Sequence, residues 1–177
     1  KFETNSKEPV IYDCGANIGM SCLYFKKLYP NAKIKAFEAD PKIVEYLRNN
    51  LTRNGVINGV EIINSAVWIN YDGVEFSSEG ADGGSIYGNN NKCRISSIRL
   101  KDYIEKEENI DMLKIDIEGA ELDVLIDCRD SLKNVKNIFI EYHNFSKKTQ
   151  NLGRVLEILE KICFRYYMEN ITKRKNP

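Results

Sequence analysis

The chain has 177 residues, 42% of them hydrophobic and 29% charged, and its 26 basic and 26 acidic side chains cancel at pH 7. That length builds one domain, 1–177 with its core over 10–170, and the composition is that of a globular protein. Balanced charge lacks the basic face that broad nucleic-acid binding needs, and no apolar run reaches the roughly 18 residues of a membrane span.

Val10–Cys14 reads as a buried strand that ends at Asp13. The turn Asp13-x-Gly15-x-Asn17-x-Gly19 follows, and residues 21–29 have helical spacing. Glycines at such a turn let backbone N–H groups approach a ligand and let a helix start against the strand end. The spacing is not the Gly-x-Gly-x-x-Gly of a pyrophosphate-binding turn. An acidic residue before the first glycine would repel a pyrophosphate. It suits the cationic amino-acid end of S-adenosylmethionine, and a dinucleotide site or a purely structural turn are the alternatives.

Lys33–Glu38 is a second strand, and Pro41 opens a helix to about residue 54 with Ile43, Val44, Leu47 and Leu51 on one face. Asp40 is the better cap for that helix, which leaves Glu38 to accept hydrogen bonds from a ribose. Val60–Asn64 is a third strand, and Ser65 and Ala66 just after it are expected beside an adenine. Residues 66–76 alternate around Asp72-Gly73 and predict a hairpin. Residues 77–92 are rich in Gly, Ser, Asn and Asp and predict a long functional loop.

Further strands are expected at 94–98, 111–117, 137–142 and 164–168, and helices at 100–107, 121–132 and 150–162. Strands alternating with helices imply right-handed βαβ units: an α/β fold, a mostly parallel sheet with helices on both faces. The five cysteines are odd in number with no Cys-x-x-Cys pair, and read as reduced, buried residues of an intracellular protein. No secretory signal is visible, and a cytoplasmic location is expected. The basic run at residues 173–175 reads as a solvated tail.

Lys114, Asp116 and Glu118 alternate at the end of the fourth strand, where charge is costly unless paired or open to a ligand. Glu141 and His143, the only histidine, end the fifth. Asp116, Glu118, Glu141 and His143 are therefore expected at one cleft, with His143 as first candidate base for an acceptor hydroxyl and Asp116 as second. Two carboxylates and a histidine also fit a divalent metal; the site is expected to work without one.

Taken together, Asp13-x-Gly15-x-Asn17-x-Gly19, Phe37-Glu38-x-x-Pro41, Asn64-x-Ala66-Val67, Lys114-x-Asp116-x-Glu118-Gly119-x-Glu121 and Glu141-x-His143 resemble the FkbM-type methyltransferases over about residues 10–165. The resemblance implies a class I, Rossmann-like αβα sandwich that uses S-adenosylmethionine. It also implies O-methylation of a hydroxyl on a sugar, a glycan or a secondary metabolite. In that reading Asp13, Gly15, Asn17, Gly19, Glu38, Ser65, Ala66 and Asp116 hold the donor, and His143, Asp116 and Glu118 are catalytic. The family's C-terminal antiparallel hairpin is incomplete here, because no seventh strand is found. The rivals are a nicotinamide-dependent oxidoreductase, whose third-glycine spacing is missing from this turn, and a non-catalytic nucleoside-binding module.

Overall fold

The structure, a computed structural model, describes residues 2–78, 84–85, 92–143 and 150–169. Five short apolar segments form its central sheet: β1 Val10–Cys14, β2 Lys33–Glu38, β3 Val60–Asn64, β9 Met112–Ile115 and β10 Ile138–Ile140. All pair in parallel, in the order β10-β9-β1-β2-β3. From β1 the chain steps outward to β2 and β3, then returns to the other side for β9 and β10. The order reverses between β1 and β9, and a crevice at such a switch point opens at the carboxyl ends of the strands.

Alternate β1 residues supply two apolar layers. Ile11 packs with Ile34, Ala36 and Met112 against α1 Met20–Leu28 and α2 Pro41–Arg53, whose Cys22, Phe25, Leu47 and Leu51 are buried. Tyr12 and Cys14 pack with Phe37, Leu113 and Ile115 on the opposite face. There they meet α3 Leu100–Ile104, α4 Glu121–Cys128 and α5 Leu152–Lys161. Each fully buried leucine, such as Leu47 or Leu51, contributes about 1.5–3 kcal/mol by leaving water. The expected three-layer α/β sandwich is the observed one.

Asp40 caps α2, its Oδ1 accepting from the Lys42 N–H at 2.8 Å with Pro41 in the first turn. Several shorter elements depart from the sequence-based expectations. Residues 66–76 do not form a hairpin. β4 Ala66–Trp68 pairs in parallel with β8 Ser97–Arg99, and β5 Val74–Ser78 pairs antiparallel with β7 Lys92–Ile95 and with β6 Gly84–Ser85. The ends of the expected loop 77–92 are therefore strands. Apart from β6, what lies between, Gly80, Gly83 and Gly88 included, falls outside the described residues, as does the run at 173–175.

Residues 164–168 form no strand. Cys163 turns the chain at φ +65°, and Tyr166 donates its hydroxyl hydrogen to Glu160 Oε1 at 2.7 Å, so the segment folds back along α5 and not along the sheet edge. The fourth strand ends at Ile115, two residues early, and α4 stops at Cys128, with a 3-10 turn at Ser131–Asn134 beyond it. Cys14, Cys22 and Cys128 are buried free thiols, whereas Cys93 and Cys163 are exposed. Among the described residues no helix is long and apolar enough to cross a membrane.

Candidate active site

The turn after β1 forms one wall of the crevice. The Gly15 and Ala16 N–H groups both donate to the Phe37 carbonyl at 3.0 Å, which ties the turn to β2. Gly15 has φ +82°, and a Cβ there would lie 1.8 Å from the Asp116 carbonyl oxygen. Only glycine allows this approach between the ends of β1 and β9. Asn17 continues the turn at φ +47°, and Gly19 opens α1 at φ +90° against the Leu47 side chain.

Glu38 ends β2 and is 9% exposed. One carboxylate oxygen accepts the Asn17 N–H at 2.8 Å and the other the Asp40 N–H at 2.9 Å. Burial pushes its carboxyl above the usual range, against the pull of these N–H groups. Glu38 itself lines the cleft, and a carboxylate can accept more bonds than these. Asn64 closes the neighbouring edge by donating to the Glu38 and Ala39 carbonyls.

A cleft runs along these strand ends. Gly15, Asn17, Glu38, Ala39 and Asp40 line one part, and Ser65, Ala66 and Val67 the next. Phe37, Ile43 and Phe76 add apolar walls, and Asp116, Ile117, Glu118 and Ala120 close the far end. Of the residues expected to hold a donor, Asp13 and Gly19 lie behind this surface. Asp13 is fully buried. Its Oδ2 accepts from the Ser21 hydroxyl and, at 3.3 Å, from the Cys22 thiol, while Oδ1 faces the Lys114 ammonium at 3.2 Å. It supports the turn from beneath.

Lys114 links the two walls. Its Nζ donates to the Gly15 carbonyl at 3.0 Å and lies 3.2 Å from both Asp13 and Asp116 carboxylates. Burial alone would lower its pKa, but the two carboxylates outweigh burial and hold the ammonium above its ordinary value. The cost of charge on a central strand is thus offset by pairing.

Beyond β9 the chain turns sharply, with Glu118 at φ +54° and Gly119 at φ +99°. Glu118 therefore reaches the cleft from a left-handed turn, not by strand alternation. Glu121, 1% exposed, accepts the Gly119 and Ile117 N–H groups at 3.0 and 3.3 Å. The same oxygen takes the His143 Nδ1–H at 3.0 Å. His143 Nε2 faces Glu118 at 3.6 Å, Glu141 at 3.9 Å and Asp116 at 4.0 Å.

The Glu121 hydrogen bond raises the His143 pKa to about 9; burial opposes this, and the charges of Glu118, Glu121 and Asp116 add to it. Glu118 is itself pushed up, mainly by burial, with His143 pulling the other way. The four residues expected at one cleft do meet one another, but only Asp116 and Glu118 line the cleft, with His143 and Glu141 packed beside them. At neutral pH this cluster keeps His143 protonated, so the imidazole must lose that proton before it can serve as a base. Phe76 carries no local signal of its place in the cleft, since its strand partner is residues 92–95. Glu121 reads in sequence as a favourable carboxylate in a first helical turn; only β10 reveals its contact with His143.

This sheet order, with a cleft across its switch point, is that of a doubly wound α/β fold, and class I methyltransferases share it. The fold is shared with a methyltransferase FkbM structure from Methylobacillus flagellatus KT (TM-score 0.64, 22% identity, 89% of this chain and 38% of that one). A precorrin-6y C5,15-methyltransferase from Geobacter metallireducens shares it too (TM-score 0.53, 15% identity, 89% and 65%). Residues 13–166 match the model of the methyltransferase FkbM domain, and the chain belongs to that family of methyltransferases. Methyltransferase sdnD of Sordaria araneosa is 30% identical over 171 residues, 75% of this chain and 66% of that protein. The 2-O-methyltransferase NoeI of Sinorhizobium fredii is 27% identical over 157 residues, 76% and 63%. The chain thus spans just under two thirds of the length of these relatives.

Proposed function

We propose that the chain transfers a methyl group from S-adenosylmethionine to a hydroxyl oxygen of a small acceptor, a sugar, glycan or secondary metabolite. The observation that carries this reading is the cleft itself. One end is a glycine turn beside a buried carboxylate, and the other is a cluster of carboxylates around His143. The similarity to NoeI, a 2-O-methyltransferase, agrees with a hydroxyl acceptor.

In this reading Glu38 accepts from the ribose hydroxyls, and Ser65, Ala66 and Phe76 border the adenine. Gly15 and Asn17 present backbone to the amino-acid end, and Asp13 and Gly19 shape their turn from behind. The donor supplies a methyl group made electrophilic by its sulfonium, a charge that suits an acidic cleft. Holding the acceptor oxygen within about 3 Å of that carbon gives most of the rate. Asp116, Glu118 and His143 hold the acceptor, and a carboxylate of the cluster takes its proton while His143 stays protonated. Balanced charge favours a small-molecule acceptor over nucleic acid, and the free thiols favour a cytoplasmic setting.

Calorimetric titration with S-adenosylmethionine, its demethylated product and NADH tests the donor. Micromolar affinity for the first two supports the reading, and preference for NADH overturns it. A screen of nucleotide sugars and glycosides then supplies an acceptor. Asp116→Asn and His143→Ala should keep donor affinity within a few-fold and lower turnover by about 10²-fold or more. Full turnover in both variants removes these residues from the chemistry.

A further inference from the structure

Asp116, Glu118 and His143 each offer one ligand atom, and these atoms all lie within 4.8 Å of one another. They come from two strand ends held by different parts of the core. From His143 Nε2 the nearest oxygens of Glu118, Glu141 and Asp116 are 3.6, 3.9 and 4.0 Å away. These separations are too long for hydrogen bonds. They fit ligands sharing one ion: with bonds of about 2.1 Å, neighbouring and opposite ligands stand roughly 3–4.2 Å apart.

A second observation comes from beneath the cluster. The Glu121 carboxylate that receives His143 Nδ1–H is 1% exposed, and its Oε2 has no hydrogen-bond partner. A buried carboxylate is costly unless positive charge stands nearby, and here that charge is either the His143 imidazolium or an ion bound at its Nε2. Lys114 is already engaged by Asp13, Asp116 and the Gly15 carbonyl. Metal-bound histidines commonly donate the other ring N–H to such a carboxylate, which fixes the tautomer and turns the free nitrogen toward the ion.

We propose that Asp116, Glu118 and His143 form a divalent-cation site at the acceptor end of the cleft, with Glu141 beside it and Glu121 as the outer carboxylate. Two carboxylates with one imidazole suit manganese better than magnesium, which prefers an all-oxygen shell. A cation there would orient the acceptor hydroxyl and ease loss of its proton. That use rests on the methyl-transfer reading, whereas the binding itself does not.

The test is a titration of chelator-stripped protein with Mn²⁺ at fixed pH, read by loss of the free-ion electron paramagnetic resonance signal. One site per chain is expected. His143→Gln and Glu118→Gln should each weaken it at least tenfold, and Glu121→Gln by about 10–100-fold, the usual worth of an outer-shell partner. Circular dichroism of each variant confirms folding, and Glu118, at the cleft surface, is the substitution least able to disturb the core. Absence of binding at millimolar Mn²⁺, or binding that none of the variants changes, overturns the site. A parallel titration with the demethylated donor product separates the two ideas. Product binding without Mn²⁺ binding rejects the cation site alone, and Mn²⁺ binding without product binding rejects the donor reading alone.

Discussion

Glu38→Gln keeps shape and volume and removes only charge and one acceptor. In the folded chain the two carboxylate oxygens each receive a backbone N–H, from Asn17 at 2.8 Å and Asp40 at 2.9 Å. A glutamine can accept only one of them, and its NH₂ group faces the other donor. Hydrogen bonds to a charged group contribute about 1.5–3 kcal/mol each, and a buried donor left unpaired costs about 1–3 kcal/mol. Part of this loss is recovered, because burial already disfavours the charge, as the raised pKa of Glu38 records. The net destabilisation is therefore about 1–3 kcal/mol. For a chain of this size it lowers Tm by about 3–10 °C. The same change removes the proposed ribose acceptor, so affinity for the demethylated donor product should fall about tenfold or more. Differential scanning calorimetry and isothermal titration read the two effects separately. Wild-type Tm together with wild-type affinity would refute both the clamp on the turn and the ribose contact.

Two glycines with the same sign of φ should differ sharply: Gly15→Ala meets the Asp116 backbone and should cost well over 2 kcal/mol in urea denaturation, whereas Gly55→Ala, at φ +67° with nothing within 4 Å, should cost only about 1 kcal/mol of backbone strain. Equal losses would mean that the close contact of β1 with β9 is unimportant. Stability of the metal-stripped protein should depend on His143, whose pKa of about 9 in the fold exceeds its unfolded value near 6.5. That contribution is fully present below pH 6.5 and is lost as pH rises through 9. With solvent screening at its partly exposed ring it amounts to about 1–2 kcal/mol. Urea unfolding at pH 6, 7.5 and 9 should show the decline in the parent chain and a flatter profile in His143→Gln; parallel profiles would place the proton elsewhere.

How far such features were legible in the sequence depended on how local their causes are. The Asp40 cap and the start of α2 at Pro41 follow from neighbours in the chain, and so does the left-handed turn at Gly15. The five parallel strands were legible because each is a short apolar run set between helical patterns. Pairing of the lesser strands was not. Val74–Ser78 could as well fold onto residues 66–68, but it pairs with Lys92–Ile95, far along the chain, while residues 66–68 pair with Ser97–Arg99. Residues 164–168 have strand-like side chains but turn back onto Glu160. At the site, charge alternation at Lys114 and Asp116 pointed to a cleft. That Asp13 faces inward, or that Glu121 anchors the histidine, required the neighbouring helix and strand.

The contact between Gly15 and the Asp116 carbonyl, with the Asp116 N–H bonded to the Cys14 carbonyl at 3.0 Å, makes the two ends of the cleft parts of one rigid backbone jig. The span between the glycine turn and the acidic cluster is then set by main-chain geometry, not by side chains that a substitution can lengthen or tilt. A substitution in the small β5–β6–β7 sheet should therefore leave the spacing between the two ends unchanged.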